Sequence, residues 1–510
     1  MTPASGGPAR LIGAGLLLIM TAAAVGTPAD ADLWGEVVFG QAIVSTGHIP
    51  LQDSYSFTSD REWVNHEWLS AIVFYLVYRG GGAAGLILLK LVMLSLLLGI
   101  LFLRFRGKGA SVDSGVLLVA VAFTGTYWRM HTIRPQLFSV VLFTCLLAAL
   151  TAAESGRRRF LWAVPPLFAL WVNLHGAWIV GYGMLGVWIA FELIRRQPRG
   201  LSRPALIALG VTSAAATLIN PYGPRMWVLL AETVRLDRSD IQDWAPLWGD
   251  PIALGIPWIL TAVAAVIAMS QSRPPVREAR FTMAVLLATA SVRVSRLDAF
   301  FAVSVMVLFA PGLVAAANRL LRSGIQSSVA SRARDTPATP RQRYAAAAIT
   351  ALAGAAILIP LSSFFGRYAT CLTIGGGWPP EPEAARFVSA NHLRGRMVTF
   401  FDWGEYAIFH FTPDIKVSMD GRRETVYSTD MITTHWRYYD ADPEAIARLT
   451  EFQPDYVWVP KQRPIASRLP SDGWRPIFMG PRSVIFARDS MASFRQVEPL
   501  AVGQRCFPGP

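Results

Sequence analysis

The sequence is poor in charge and in cysteine. Only 16% of its 510 residues are charged, against roughly a quarter in ordinary soluble domains, which excludes a chain that is soluble throughout. Three cysteines are too few for a disulfide framework, and without a CxxC pair there is no zinc or dithiol redox motif. Cys145 falls in an apolar run and reads as packing. Cys371 and Cys506 bracket the one long soluble stretch: an oxidising compartment would join them across it, and two free thiols fit the sequence equally well. Acidic residues are scarce beside basic ones, 34 against 47, for a formal charge of +13. Such a balance suits nucleic acid, but membrane proteins collect Lys and Arg in cytoplasmic loops for topological reasons, so no nucleic-acid partner is expected.

What is abundant is apolar sequence, 53% of the chain, in runs separated by short basic segments. The first run, 11–25, follows Arg10 and ends in small residues like a secretory signal. A retained helix is the preferred reading, because Asp30 and Asp32 follow at once in what reads as a functional loop. A spanning helix needs ~20 mostly apolar residues. That rule and the basic loops give about eleven membrane helices: 11–25, 83–103, 114–127, 137–153, 161–174, 177–194, 205–219, 251–269, 281–292, 299–317 and 345–364. The connections assigned to the cytoplasm hold twenty Lys and Arg, among them Arg157, Arg158, Arg159, Arg195, Arg196, Arg277 and Arg280. The first outer loop covers 28–79 and includes an interfacial helix over 66–78. Residues 1–365 form the membrane domain under this reading. Residues 366–510 form an extracytoplasmic α/β domain, with strand-like runs at 397–401, 416–419, 456–460 and 483–487 and helical spacing at 381–391 and 443–452.

This topology places all seven histidines outside or at outer helix ends, with most polar clusters. These are Asp30-Ala-Asp32-Leu-Trp34, Asn65-His66-Glu67-Trp68, His131 with Arg134-Pro-Gln136, Asn173-Leu-His175-Gly176, Asn220-Pro-Tyr222-Gly223 and Arg293-Val-Ser-Arg296. Ionisable groups near lipid are costly and mark functional paths by default. Blander readings stand beside each cluster. Asn220 to Gly223 suits a helix-ending turn, Asn173 and His175 suit a helix end, Arg293 and Arg296 suit lipid headgroups, and Glu67 suits a helix N-terminus. Lys90, inside an apolar run, either snorkels or meets a buried partner. The aspartate pair is harder to dismiss, since two carboxylates two residues apart suit a general base or a divalent metal facing a phosphate.

The first loop, Asp30-Ala-Asp32-Leu-Trp34, a short helix, Gly47-His-Ile-Pro50, Asp53-Ser-Tyr55-Ser-Phe57 and Trp63, resembles that of the GT-C superfamily of polyprenyl-phosphate-dependent membrane glycosyltransferases, and oligosaccharyltransferases most. Phe400-Phe401-Asp402-Trp403-Gly404 resembles their aromatic, aromatic, Asp, aromatic, Gly signature. The resemblance implies inverting transfer of a sugar from a lipid-linked phosphate to an acceptor at the periplasmic face of a bacterial inner membrane. It gives Asp32, assisted by Asp30, the catalytic or metal-binding position, with Mg or Mn as the candidate metal. His66, Glu67, His131, Arg134, Gln136, Asn173, His175, Arg293, Arg296 and Asp402 are the expected substrate-binding set. Two departures stand out. Arg134 occupies a loop where the family carries further carboxylates, which suggests a guanidinium for the leaving phosphate. Phe400 and Phe401 replace tryptophans, so peptide-sequon recognition is not implied. A non-catalytic binder of lipid-linked glycans and a transporter are the alternatives. A transporter's polar groups gather at mid-membrane rather than at one face. Asp420-Gly-Arg422-Arg423 reads either as a site-facing cluster or as a strand-end turn.

Overall fold

A computed structural model describes residues 7–195, 201–233, 244–272, 278–332, 366–375, 377–488, 494–498, 500 and 503–509. Ten of the eleven expected membrane helices have counterparts. The first is α1 (Gly7–Val25); a loop helix, α2 (Leu33–Thr46), follows it, and then α3 (Trp68–Gly107), α4 (Val112–Met130), α5 (Gln136–Glu154), α6 (Val164–Leu174) and α7 (Trp178–Ile194). After them come α8 (Arg203–Ala216), α9 (Arg225–Thr233), α10 (Ile256–Ser272), α11 (Ala279–Arg293), α12 (Asp298–Leu308) and α13 (Ala310–Arg332). The eleventh, expected over 345–364, lies outside the described residues. Three described helices are long and apolar enough to cross a membrane unaided: α3, α5 and the segment ending at Ser272. A fourth span results if α12 and α13, bent by 76°, act as one. The other described helices of the expected set do not meet both the length and the apolarity of a span.

The interfacial helix expected at 66–78 and the span at 83–103 form one 40-residue helix, broken where Gly82 takes φ 56° and ψ −146°. L-residues disfavour that conformation, so a glycine there lets the chain turn from the surface into the bundle without ending the helix. The basic ends converge as expected. Glu278 lies between Arg280 and Arg195, with Oε2 2.5 Å and Oε1 3.8 Å from them, and Arg195 also meets Glu192 at 3.1 Å. Glu154, at the C-terminal end of α5, reaches Arg280. The N-terminal end of the same 19-residue helix is Gln136, roughly 28 Å away at 1.5 Å per residue. The basic cluster and the polar motifs thus sit at opposite ends of the bundle.

The C-terminal domain carries β1 (Gly395–Thr399), β2 (Ile415–Val417), β3 (Tyr456–Pro460), β4 (Arg475–Met479) and β5 (Ser483–Ala487) in the order β2-β1-β3-β5-β4. The β1 pairings are parallel and the β5 pairings antiparallel. All five residues of β5 are buried, as expected of a strand covered on both faces. The domain is sewn to the first loop rather than hung from it. Phe57 N–H donates to Val417 O at 3.0 Å and Val417 N–H to Tyr55 O at 3.0 Å, so 55–57 runs beside β2. Cys371 and Cys506 are disulfide-bonded, which settles the open alternative in favour of the bond. Beside them Thr373 bridges Pro28 on one side and Cys506 on the other.

Candidate functional site

Where the first loop meets the C-terminal domain, a cavity of about 1050 Å³ opens. Its walls come from 28–36 and 63–67 of the first loop, from 128–136 between α4 and α5, from Trp244 and Arg296, and from the 400–405 and 421–425 segments of the C-terminal domain. Asp32 and Asp402 line it together.

Asp32 precedes the first turn of α2, and its N–H donates to Asp30 Oδ1 at 3.2 Å. This short turn aims both carboxylates at Arg134, one residue before the Pro135 that starts α5. Arg134 donates Nη2 to Asp32 Oδ2 at 2.7 Å and holds Nε 3.3 Å from Asp30 Oδ1. The guanidinium expected to face a phosphate therefore bridges the two aspartates. It takes one oxygen of each carboxylate, Asp30 Oδ1 and Asp32 Oδ2, so a divalent cation at Asp32 would have to displace this guanidinium. Among the described residues no three His, Cys, Asp or Glu side chains gather at metal-binding spacing.

A second polar group surrounds Glu67. His66 Nε2 and His175 Nε2 stand 3.4 and 3.6 Å from its Oε1, and Arg296 Nη2 lies 3.5 Å from His175 Nε2. Burial pushes the Glu67 carboxyl up, but His66, His175 and Arg296 outweigh it and hold the group well below the usual carboxylate range. Burial lowers His175 to about 3 despite Glu67, so its ring is neutral at neutral pH. Its Nδ1 is fixed 2.7 Å from Ser139 Oγ. Gln136 donates to the Arg296 carbonyl at 3.1 Å, and the Arg296 guanidinium stands 5.6 Å from the Trp244 ring centre.

Of the residues expected from sequence, Asp30, Asp32, His66, Glu67, His131, Arg134, Gln136, Arg296 and Asp402 line the cavity. His175 sits one layer behind Glu67. Asn173 serves the end of α6 instead: it accepts from Trp68 Nε1 at 2.8 Å and donates to the Ala169 and Ile219 carbonyls. Arg293, the last residue of α11, does not reach the lining, and Arg296 takes that place. Burial, then Asp32, push Asp402 up to about 6.

Sequence reasoning missed Glu36 and Glu405. Burial above all raises both carboxyls well above their usual range; next in effect are Glu67 and Asp32 for Glu36, and Asp32 and Asp420 for Glu405. Each has one oxygen without a partner among the described residues. The i+4 spacing from Asp32 along α2 was the available signal for Glu36. The Asp420-Gly-Arg422-Arg423 segment belongs to the site. Arg422 forks onto Asp420 at 2.8 and 2.7 Å and reaches Asp53 at 2.6 Å. The rings of Phe39, Tyr55 and Trp63 surround its guanidinium, their centres 4.7–5.4 Å away. This buried bolt joins the first loop to the domain that closes the cavity.

No family model matches the chain, and no curated protein matches it in sequence. Solved structures do. Oligosaccharyltransferase from Archaeoglobus fulgidus, in its apo form, superposes with a TM-score of 0.57 at 11% identity, over 88% of this chain and 69% of that one. ArnT from Cupriavidus metallidurans bound to undecaprenyl phosphate gives 0.56 at 14%, over 97% and 100%, and its apo state 0.54 at 14%, over 94% and 98%. At these identities the likeness is one of fold: the chain folds like oligosaccharyltransferase and ArnT.

Proposed function

We propose that the chain is an integral membrane glycosyltransferase that moves a sugar from a polyprenyl-phosphate-linked donor to an acceptor at the periplasmic face of a bacterial inner membrane. The observation that carries this reading is the Asp30–Arg134–Asp32 bridge on the wall of a cavity roofed by the C-terminal domain. Asp32 accepts the proton of the acceptor hydroxyl as that oxygen attacks the anomeric carbon. The bond from that carbon to the phosphate oxygen breaks on the opposite face, inverting the centre. Arg134 trades its carboxylates for the departing phosphate, since a guanidinium matches phosphate bidentately. Arg296 supplies a second cation nearby. The fold shared with ArnT, solved with undecaprenyl phosphate bound, supports the donor class. The basic cluster at the opposite end of the bundle supports the orientation, with the C-terminal domain periplasmic.

A non-catalytic relative that binds lipid-linked glycans is the second reading. Arg134 favours it, because it neutralises both aspartates. A transporter fits less well, because the polar groups gather at one end of the helices rather than midway. Reconstituted protein separates the first two. Asp32→Asn is expected to abolish transfer while polyprenyl-phosphate binding and folding persist. Arg134→Ala is expected to weaken both binding and transfer. Transfer by Asp32→Asn at the rate of the parent protein would end the enzymatic reading.

A further inference from the structure

The end of the bundle away from the cavity gathers charge as well. Three acids there are engaged by two arginines. Glu192 meets Arg195, Glu278 lies between Arg195 and Arg280, and Glu154 faces Arg280 while accepting from Trp188 Nε1 at 3.0 Å. Three further cations at this end, Arg104, Lys108 and Arg157, form no ion pair among the described residues. Asp113, at the start of α4, pairs with none of them.

Arg104 lies in the last turn of α3. Its Nε donates at 2.8 Å to the carbonyl of Val307, one residue before the end of α12, where helical carbonyls lack a partner of their own. That bond fixes the guanidinium and leaves both Nη groups without a partner among the described residues. Lys108 caps α3, and Arg157 follows the end of α5. Lys108 is held below its ordinary value, first by burial and then by the charges of Arg104, Arg157 and Arg280, with Glu154 opposing. Charges in water are felt only over about 10 Å, so these cations form one patch.

The surroundings of the patch are those of a membrane interface. Phe160, its ring centre 5.9 Å from the Arg157 guanidinium, is followed by Trp162, which is 85% exposed. Tryptophan is enriched where headgroups meet acyl chains. On α3, Leu88, Val92, Leu96 and Leu103 are exposed, and their spacing puts them on one side of the helix, an apolar stripe that runs up to Arg104.

We propose that Arg104, Lys108 and Arg157 form the headgroup site of one anionic phospholipid in the leaflet away from the cavity, with an acyl chain on the α3 stripe. Phosphate oxygens accept from the two open Nη groups of Arg104 and from Lys108 Nζ, and Arg157 supplies the third cation. Cations and stripe meet at one edge of α3, so a single amphiphile satisfies both, which a soluble phosphate does not. The site lies a helix length from the cavity and does not depend on the glycosyltransferase reading.

The test is native mass spectrometry of the full chain from neutral detergent micelles doped with phosphatidylglycerol, or with phosphatidylcholine of the same acyl chains. One phosphatidylglycerol is expected to stay bound, about a hundredfold more tightly than phosphatidylcholine, or about fivefold for each of the three cations. The preference is expected to shrink as salt is added. Lys108→Gln with Arg157→Gln changes two exposed side chains and leaves the fold intact. This double variant is expected to lower phosphatidylglycerol affinity about thirtyfold, by the same fivefold for each charge, and to leave phosphatidylcholine unchanged. Arg475→Gln, at the exposed sheet edge of the C-terminal domain, is expected to change neither. Equal affinity for the two lipids, no effect of the double variant, or the same loss from Arg475→Gln overturns the proposal. Excess glycerol 3-phosphate is expected not to displace the lipid. Displacement would assign the cations to a soluble phosphate and overturn the proposal as well.

Discussion

Removing the Arg422 guanidinium tests how the cavity is held shut. Its side chain is 5% exposed, and those of its partners Asp53 and Asp420 are fully buried. Arg422→Gln keeps much of the side-chain length but leaves two carboxylates buried without a counter-charge. Breaking a buried pair in this way costs about 3–5 kcal/mol. Because each 1.4 kcal/mol is a factor of ten, local opening of the seam should become about a hundredfold or more frequent. Hydrogen exchange followed by mass spectrometry reads this directly at the amides of Phe57 and Val417, which bond across the seam. Fast exchange is expected to stay confined to 51–64 and 415–428. The partner control is the triple variant Asp53→Asn, Asp420→Asn and Arg422→Met. With no charge left to strand, it should recover most of the protection, since replacing a whole buried ionic group by neutral side chains is close to neutral. Unchanged exchange in Arg422→Gln, or a triple variant as open as the single one, would refute the reasoning. Acid should act by the same route. Although burial opposes it, Arg422 holds the Asp420 carboxyl below its ordinary value. The contribution of Asp420 is thus complete above about pH 4 and is lost as pH falls through the depressed value.

Burial raises the Glu36 carboxyl well above its ordinary range, so Glu36→Gln should shift stability by no more than about 1 kcal/mol, whereas Glu67→Gln strips His66 and Arg296 of their anion and should cost about 3 kcal/mol. Thermal unfolding in detergent ranks the two, and the reverse order would show the charge states to be misassigned. Asp402, raised to about 6, is ionised at pH 7.5 and largely neutral at pH 5.5. The stability that its buried charge withholds should therefore return as pH falls from about 6 toward about 4, read as a rise in thermal midpoint. Asp402→Asn should flatten that rise, and a profile identical to the parent's would assign it to another group. Lys90→Met, which removes bonds to Thr27 Oγ1 and to the His131 carbonyl, should raise exchange in both loops at once. A change in only one would show that they are held separately.

Much of the scaffold was legible because apolar runs and basic connections are local signals. The expected strands at 456–460 and 483–487 match β3 and β5 residue for residue. β4 escaped notice because Arg475 and Pro476 are exposed at the sheet edge, where neither alternation nor an apolar run is required. The helix Thr429–Tyr439 buries Met431, Ile432, His435, Tyr438 and Tyr439 at helical spacing, but its Thr and aromatic residues favour strands and masked that signal. Asp30, Asp32 and Arg134 were each found as motifs, but their union was not, since nothing local says that residues a hundred positions apart share an ion pair. The bolt was hidden for the same reason. Asp53 lies in a recognisable motif and Asp420-Gly-Arg422-Arg423 in another, and only the docking of loop on domain shows that one completes the other. Trp436 and Arg463, which also line the cavity, carry no motif at all.

The Trp34 indole, two residues from Asp32, donates to the carbonyl of Pro508 at 2.8 Å, and His410 Nε2 lies 3.0 Å from the same carbonyl oxygen. Translation delivers residue 34 to the membrane long before residue 508 leaves the ribosome. During synthesis the acidic loop waits half-built, with an indole that has yet to meet its carbonyl. The loop is therefore fastened in one late event, when the segment around Pro508 docks onto it. A chain stopped before Pro508 would carry Asp30, Asp32 and Arg134 and yet lack this fastening.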